Sequence, residues 1–125
     1  MFIFFAAYRE LVRFDRYIAA GDFAKLYERV RNCPVAAAGS GENAVTLRRI
    51  SDAMDLACIW FWKEASCLHR SAAAACLLRH HGIAAQLVIG AQAMPFRAHA
   101  WIEVDGCVIN DRPYISEKYA VLDRC

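Results

Sequence analysis

The feature that most constrains the fold is a run of strong helix formers between Ser66 and Ile83. Its middle, residues 72–78, holds four consecutive alanines and two leucines, which favour helix. Gly82 suits the left-handed position just past a helix, and Ile83 can fold back onto the last turn as in a Schellman end. The sequence therefore predicts a helix that begins at Cys67 and ends just before Gly82.

Cys67 lies in the first turn of this predicted helix. Unpaired backbone N–H groups and the positive end of the helix dipole stabilise a thiolate there, and the thiolate is the attacking form of cysteine. The same N–H groups can hold a developing oxyanion, so the Cys67 backbone is a candidate oxyanion donor. The alternative is a cysteine packed in the core, which would be preferred if no base and acid followed in the chain.

A β-hairpin is predicted directly after this helix. Residues 85–90 are predicted as a buried strand, and a loop through residues 94–96 leads to a second strand at residues 98–104. Asp105-Gly106 is a strong signal for a hairpin turn, and residues 107–111 return alongside the second strand. We therefore expect an α+β fold in which the helix of Cys67 packs on a small antiparallel sheet.

The register of this hairpin decides which side chain meets His99. By alternation, His99 and Trp101 share one face of the strand. A two-residue turn would put Asn110 opposite Trp101 and Asp111 on the other face, whereas one extra residue would bring Asp111 onto the face of His99. We expect a bulge or a longer turn, with Asp111 orienting His99. A two-residue register that continues through Asp111 would give that role to Asn110.

Cys67, His99 and Asp111 follow one another in the order nucleophile, base and orienting acid. A helix-end thiolate, an imidazole and an acid from neighbouring strands are the groups that papain-like and transglutaminase-like thiol enzymes bring together. The sequence therefore predicts that a Cys-His-Asp triad cleaves or transfers acyl groups.

Two helices are predicted before the core, over residues 3–19 and 23–31. We call residues 1–35 the helical front. Its apolar opening ends at Arg9, far short of the ~20 residues that a membrane span needs, and it lacks the basic start of a secretion signal. We expect an amphipathic first helix, with a docking surface for a partner as the alternative.

A small, flexible segment at residues 36–41 is predicted to separate the helical front from a catalytic core at residues 43–125. At 125 residues the chain is expected to form a single domain. The core is predicted to open with a helix from about Asn43 to Phe61. Its buried side is marked by Val45, Ile50, Met54, Ala57 and Cys58.

Composition narrows the classes of function. A formal net charge of +2 is too small to predict nucleic-acid binding. The six cysteines form no close pairs, which predicts reduced thiols and a cytoplasmic location, and no metal or other cofactor is expected. Cys58, Cys76 and Cys107 have apolar neighbours and are expected to behave as small hydrophobes.

Several motifs resemble those of the B2-type maturation proteases of lasso peptide biosynthesis, which belong to the transglutaminase-like (papain-like) superfamily. The resemblance covers residues 50–125 closely and the helical front more loosely. Its motifs are Cys67-Leu68-His69-Arg70-Ser71, His80-His81-Gly82-Ile83, Leu87-Val88-Ile89-Gly90, Pro95-Phe96 and His99-Ala100-Trp101 through Asp105-Gly106.

The resemblance implies a leader peptidase, which frees the amine that a separate ATP-dependent cyclase then joins to an acidic side chain. The family's Cys, His and Asp fall on Cys67, His99 and Asp111. In split systems a small separate protein of the B1 type holds the precursor leader peptide. The chain has no room for that module at its N-terminus, so a partner is expected, with the helical front as its docking surface.

Other residues receive two interpretations each. Transglutaminase relatives can use an indole N–H as a second oxyanion donor, which makes Trp60 or Trp62 candidates, although both could be core aromatics. Arg70 is expected to bind a substrate carboxylate or backbone, or to pair with Glu103 or an Asp. Trp101 is expected to border the substrate site and shield it from water, with a plain core position as the alternative.

Two rival functions use the same residues. A transglutaminase or amidase would resolve the same thioester with another nucleophile. A catalytically inactive peptide-binding domain would only present a surface.

Overall fold

The computed structural model describes residues 2–36 and 43–125. Within them the chain forms an α+β fold, which confirms the predicted fold class. Most of the flexible segment expected at residues 36–41 lies outside the described residues. The helices are α1 (Phe2–Ala19), α2 (Phe23–Arg31), α3 (Asn43–Trp60), α4 (Cys67–His80) and α5 (Ile115–Lys118), and the strands are β1 (Ala85–Ala93), β2 (Phe96–Val104), β3 (Cys107–Val108) and β4 (Ala120–Arg124).

The ends of α4 follow the predicted pattern. Ser66 is the N-cap, and its hydroxyl accepts a hydrogen bond from a backbone N–H of the first turn. Gly82 has a φ of +84°, and its N–H donates to the Arg79 carbonyl at 3.1 Å. The Ile83 N–H donates to the Leu78 carbonyl at 3.0 Å, which completes a Schellman end. Cys67 is therefore the first residue of α4.

The four strands form one antiparallel sheet in the order β3-β2-β1-β4. β1 and β2 pair along their whole length, from Ala85 opposite Val104 to Ala93 opposite Phe96, so both strands are longer than predicted. β4 was not predicted. It pairs with the other edge of β1, and this long-range partner gives the C-terminal residues a strand conformation that their short pattern does not announce.

Helix α4 lies at the centre of the molecule, between the sheet and the other helices. It packs against β1 and β2 on one side and against α1 and α3 on the other. The helical front and the core therefore share one hydrophobic cluster. Its largest fully buried members include Leu11, Phe14, Leu26, Ile50, Met54, Leu77 and Leu87.

One expected core position on α3 is wrong. Val45 is exposed, whereas Ile50, Met54 and Ala57 are buried as predicted. Val45 and Ile50 are five residues apart, which at 3.6 residues per turn turns them to different faces. Leu47 packs against the core instead, at the helical spacing of three before Ile50.

A buried arginine on α4 donates hydrogen bonds to the ends of several neighbouring elements. Arg79 Nε donates to the Ala85 carbonyl at 2.8 Å, and Nη2 donates to the Cys125 carbonyl at 2.7 Å. Nη1 donates to the Val30 carbonyl of α2. The guanidinium thus satisfies carbonyls at the end of α2, the start of β1 and the C-terminus.

No described helix combines the length and the hydropathy that crossing a membrane requires.

Candidate active site

A cavity of about 280 Å³ opens at the N-terminus of α4. Cys67 is exposed there, and His99 of β2 and Asp111 line the same cavity. The fold therefore brings the three predicted site residues together, although each comes from a different segment. The other lining residues are Ala65, Ser66, Arg70, Ser71, Ala100 and Asn110.

His99 and Asp111 are in direct contact. His99 Nε2 and Asp111 Oδ2 share a hydrogen bond, and the Arg112 N–H donates to Asp111 Oδ1 at 2.7 Å. Partial burial raises the pKa of Asp111, but these hydrogen bonds outweigh it and the pKa is lowered overall. Because Nε2 is engaged, Nδ1 is the His99 nitrogen left for a thiol. In the part of the chain described here, no hydrogen bond joins His99 to Cys67.

The hairpin turn differs from our expectation. Val104 pairs directly with Cys107, so the turn holds only Asp105 and Gly106, and the predicted bulge or longer turn is wrong. Asp105 and Gly106 have φ values of +52° and +78°, as a type I′ turn requires. The Asp-Gly pair therefore formed the turn that its sequence favours.

Asp111 nevertheless reaches His99, because the two-residue register does not continue that far. Asn110 leaves the ladder: its Oδ1 accepts from the Ile102 N–H at 2.8 Å, and its Nδ2 donates to Ser71 Oγ at 3.0 Å. Asn110 thus bonds to β2 and α4 rather than to His99. Asp111 follows it and turns back towards the imidazole.

The His99 ring lies in an aromatic stack. Its centroid is 6.0 Å from that of Trp101 and 5.3 Å from that of Tyr119, with interplanar angles of 29° and 27°. Trp101 is fully buried, its indole donates to Glu103 at 2.9 Å, and it does not line the cavity, so the structure places it in the core rather than at the border of the substrate site. It supports His99 instead. Tyr119 was missed because it belongs to the C-terminal segment that the sequence left unassigned.

The remaining candidates are partly corrected. Arg70 forms an ion pair with Asp55 of α3, the structural pairing with an Asp that the sequence left open, and it also borders the cavity. Trp60 and Trp62 are each 69% exposed, so neither is a core aromatic. Neither lines the cavity around Cys67, so the structure does not support them as oxyanion donors.

Sequence reasoning missed a buried polar cluster beside the cavity. His69 is buried, its Nδ1 accepts from the Ser66 N–H at 3.1 Å, and its Nε2 lies 2.8 Å from Asp15 Oδ1 of α1. Lys63 Nζ lies 2.7 Å from the same oxygen. Burial raises the pKa of Asp15, but Lys63 and His69 lower it by more. The available signal was the capping-box spacing of Ser66 and His69, with histidine in place of the usual Glu or Gln.

The other cysteines show different environments. Burial raises the pKa of the Cys58 and Cys76 thiols, in keeping with small hydrophobes. Cys107 is exposed beside the hairpin turn, so the expectation of an apolar environment is wrong there. Within residues 2–36 and 43–125, no group of three or more His, Cys, Asp or Glu side chains is arranged to hold a metal ion.

A helix that presents a thiol at its N-terminus, packed on an antiparallel sheet that carries an imidazole, is an architecture of the transglutaminase-like (papain-like) class. Residues 10–124 match the Transglutaminase-like superfamily, and the chain belongs to that family. Its similarity to a named protein is more limited. It is 42% identical over 59 residues to the Microcin J25-processing protein McjB of Escherichia coli. The match covers 47% of this chain and 28% of McjB, and no solved structure matches the chain significantly.

Proposed function

We propose that this protein is a cysteine peptidase that removes the leader peptide from a ribosomally synthesised lasso peptide precursor. The observation that carries the proposal is the shared cavity of Cys67, His99 and Asp111. The similarity to McjB, a microcin-processing protein, and the family resemblance of the motifs support the choice of substrate. The six cysteines are free thiols, which supports a cytoplasmic location as part of the same proposal.

The first role concerns the imidazole. The hydrogen bond to Asp111 holds His99 with Nδ1 free for the Cys67 thiol. Because its pKa is lowered, Asp111 is ionised at neutral pH and stabilises the imidazolium that forms when His99 takes the thiol proton. The aromatic stack around His99 limits rotation of the ring.

The reaction has two stages, acylation of Cys67 and hydrolysis of the thioester. The Cys67 thiolate attacks the carbonyl carbon at the leader junction, the C–N bond breaks, and protonated His99 gives its proton to the departing amine. A water molecule next attacks the thioester and gives a proton to His99. The C–S bond breaks, the leader leaves as a carboxylate after its remaining proton passes to solvent, and Cys67 returns as a thiolate.

The developing oxyanion needs donors at the start of α4. The Cys67 N–H lies at the first helical position, where an α-helix has no partner of its own for that group. We assign it as one oxyanion donor. Arg70 borders the same cavity with a side chain that is 41% exposed, and we propose that it binds a carboxylate or the backbone of the substrate.

A separate leader-recognition protein of the B1 type is the partner we propose. An apolar groove of about 940 Å³ lies between α1 and α3, and we call it the α1–α3 groove. Exposed Phe5 and Trp60 lie on it, which fits a partner that buries aromatic side chains. The groove is lined by Ile3, Phe4, Phe5, Tyr8, Arg49, Asp52, Ala53, Leu56 and Trp60.

The docking proposal is tested by pull-down with single substitutions. Deleting the helical front would remove buried core residues such as Leu11 and Phe14, so a surface change is the better probe. Phe5→Ser is expected to weaken capture of the leader-recognition protein. The matched control is Leu122→Ser, an equally exposed position on β4. Equal capture by both variants would contradict the docking site.

The peptidase activity is tested by incubating the protein, its leader-recognition partner and the precursor, followed by mass spectrometry. Wild-type protein is expected to release leader and core peptide, whereas Cys67→Ala releases neither and Cys107→Ala, which removes another exposed thiol, behaves as wild type. An added amine distinguishes the rival reaction, because a transglutaminase would yield the leader amide. Absence of both products would favour the peptide-binding domain.

A further inference from the structure

Ser71 and Asn110 connect the segments that carry the proposed triad. Ser71 lies on α4, one turn after Cys67. Asn110 directly precedes Asp111 in the chain. Asn110 Nδ2 donates to Ser71 Oγ at 3.0 Å, and Ser71 Oγ donates to the carbonyl of Ala100 at 3.2 Å. One buried hydroxyl therefore touches both the segment before the carboxylate and the strand of the imidazole.

The backbone around Asn110 shows why the hairpin ladder stops. With a two-residue turn, Ile102 and Ile109 would exchange both of their backbone hydrogen bonds. The Ile109 N–H does donate to the Ile102 carbonyl, at 3.1 Å. The Ile102 N–H donates instead to Asn110 Oδ1, at 2.8 Å. The Asn110 side chain therefore takes the place of a backbone carbonyl and ends the ladder just before Asp111.

We propose that Asn110 and Ser71 are positioning residues for the triad. Asn110 ends the ladder so that Asp111 can turn onto His99, and Ser71 ties that turn to the helix of Cys67. The catalytic meaning of this arrangement rests on the proposed peptidase function, whereas the contact between Asp111 and His99 can be measured without it.

Burial makes this arrangement sensitive to single changes. Ser71 is 1% exposed, and its hydroxyl both accepts from Asn110 and donates to β2. Both ends of the Asn110 amide are engaged, so rotation of the amide would break two hydrogen bonds at once. In a partly buried site each of these hydrogen bonds is stronger than in water. Removing one partner therefore costs free energy, because water does not fully replace it.

The test measures the pKa of Asp111 in the Asn110→Ala variant by a pH titration in which carbonyl NMR monitors the carboxyl group. Because the hydrogen bond from His99 lowers the pKa of Asp111, losing that contact is expected to raise the pKa towards the value of a free carboxyl. The kcat for leader removal is expected to fall about 100-fold with KM nearly unchanged, the signature of a misplaced group. An unchanged Asp111 pKa in this variant would overturn the proposal.

Two further variants complete the experiment. If Asn110→Ala does not fold, the same titration is done on Ser71→Ala. This variant is expected to raise the pKa of Asp111 by a smaller amount. Tyr27→Phe removes a hydroxyl on α2, away from the cavity, and is expected to leave the pKa of Asp111 and the kcat unchanged. If wild-type protein cleaves no precursor, the proposed function fails, but the Asp111 titration still decides the role of Asn110.

Discussion

His69 of α4 and Asp15 of α1 form a hydrogen bond of 2.8 Å between side chains that are 54 positions apart in the sequence. Because Ser66 donates its N–H to the same imidazole, the bond fastens the N-terminus of α4 to α1. Cys67 is the first residue of α4, so the orientation of the proposed nucleophile depends on a contact with the helical front.

Asp15→Asn tests this connection. The variant removes the carboxylate that Lys63 and His69 share, and a loss of about 2 kcal/mol of unfolding free energy is expected near pH 7 for weakening hydrogen bonds to a largely buried charged group. The measurement is thermal or denaturant unfolding. Asp52→Asn, which removes an exposed pair with Arg48, is the matched control and is expected to change stability by less than about 1 kcal/mol.

The same variant predicts a pH dependence. The folded pKa of Asp15 is lowered from 3.8, so its contribution to stability is present above pH 3.8 and is lost as the pH falls through the lower folded pKa. The stability difference between wild type and Asp15→Asn should therefore be full at neutral pH and shrink only below pH 3.8. A difference that is constant down to the folded pKa and beyond would contradict an ionised Asp15.

Gly90→Ala should disturb the aromatic support of His99. A Cβ at Gly90 would lie 2.7 Å from Trp101 Cη2 and 2.9 Å from Tyr119 Cβ, which forces both side chains to move. A cost of about 1–3 kcal/mol is expected for overpacking, together with a changed near-UV circular dichroism signal. Gly106→Ala is the control, because a Cβ there meets nothing within 4 Å and only backbone strain is added. Loss of leader removal in both variants alike would count against a specific role for the stack.

Asp111→Ala should separate orientation from binding. Without the carboxylate, His99 loses the partner that fixes Nε2, so a fall in kcat of about 100-fold or more is expected with KM largely unchanged. Steady-state kinetics with a precursor peptide measures both quantities. A variant that keeps wild-type kcat would remove Asp111 from the proposed triad.

Thiol labelling offers a comparison inside one chain. Cys67 and Cys107 are both exposed, but only Cys67 shares a cavity with an imidazole and lies at a helix N-terminus. With iodoacetamide at neutral pH, Cys67 should react faster than Cys107. Cys58, Cys76 and Cys125 should react slowest, because burial raises their pKa. Equal rates at Cys67 and Cys107 would support the inactive peptide-binding domain.

Local sequence signals predicted most of the elements. Helix α4 followed from its alanines, its leucines and Gly82, and the two-residue turn was already favoured by Asp105-Gly106. The longer turn was inferred only to bring Asp111 to His99, and it was wrong because a ladder can also end through a side chain such as that of Asn110. The pattern of residues does not reveal such a substitution.

The sequence by itself determined which residue types stand where: a thiol at a helix start, an imidazole on a strand and an acid beyond a tight turn. These depend on interactions within a few residues, which capping, propensity and alternation describe. Only the tertiary structure decided that Asp111 rather than Asn110 meets His99, that Trp101 is buried, and that Asp15 holds His69. Those outcomes depend on contacts between segments far apart in the chain, where packing and hydrogen-bond satisfaction select one arrangement among several that the local pattern allows.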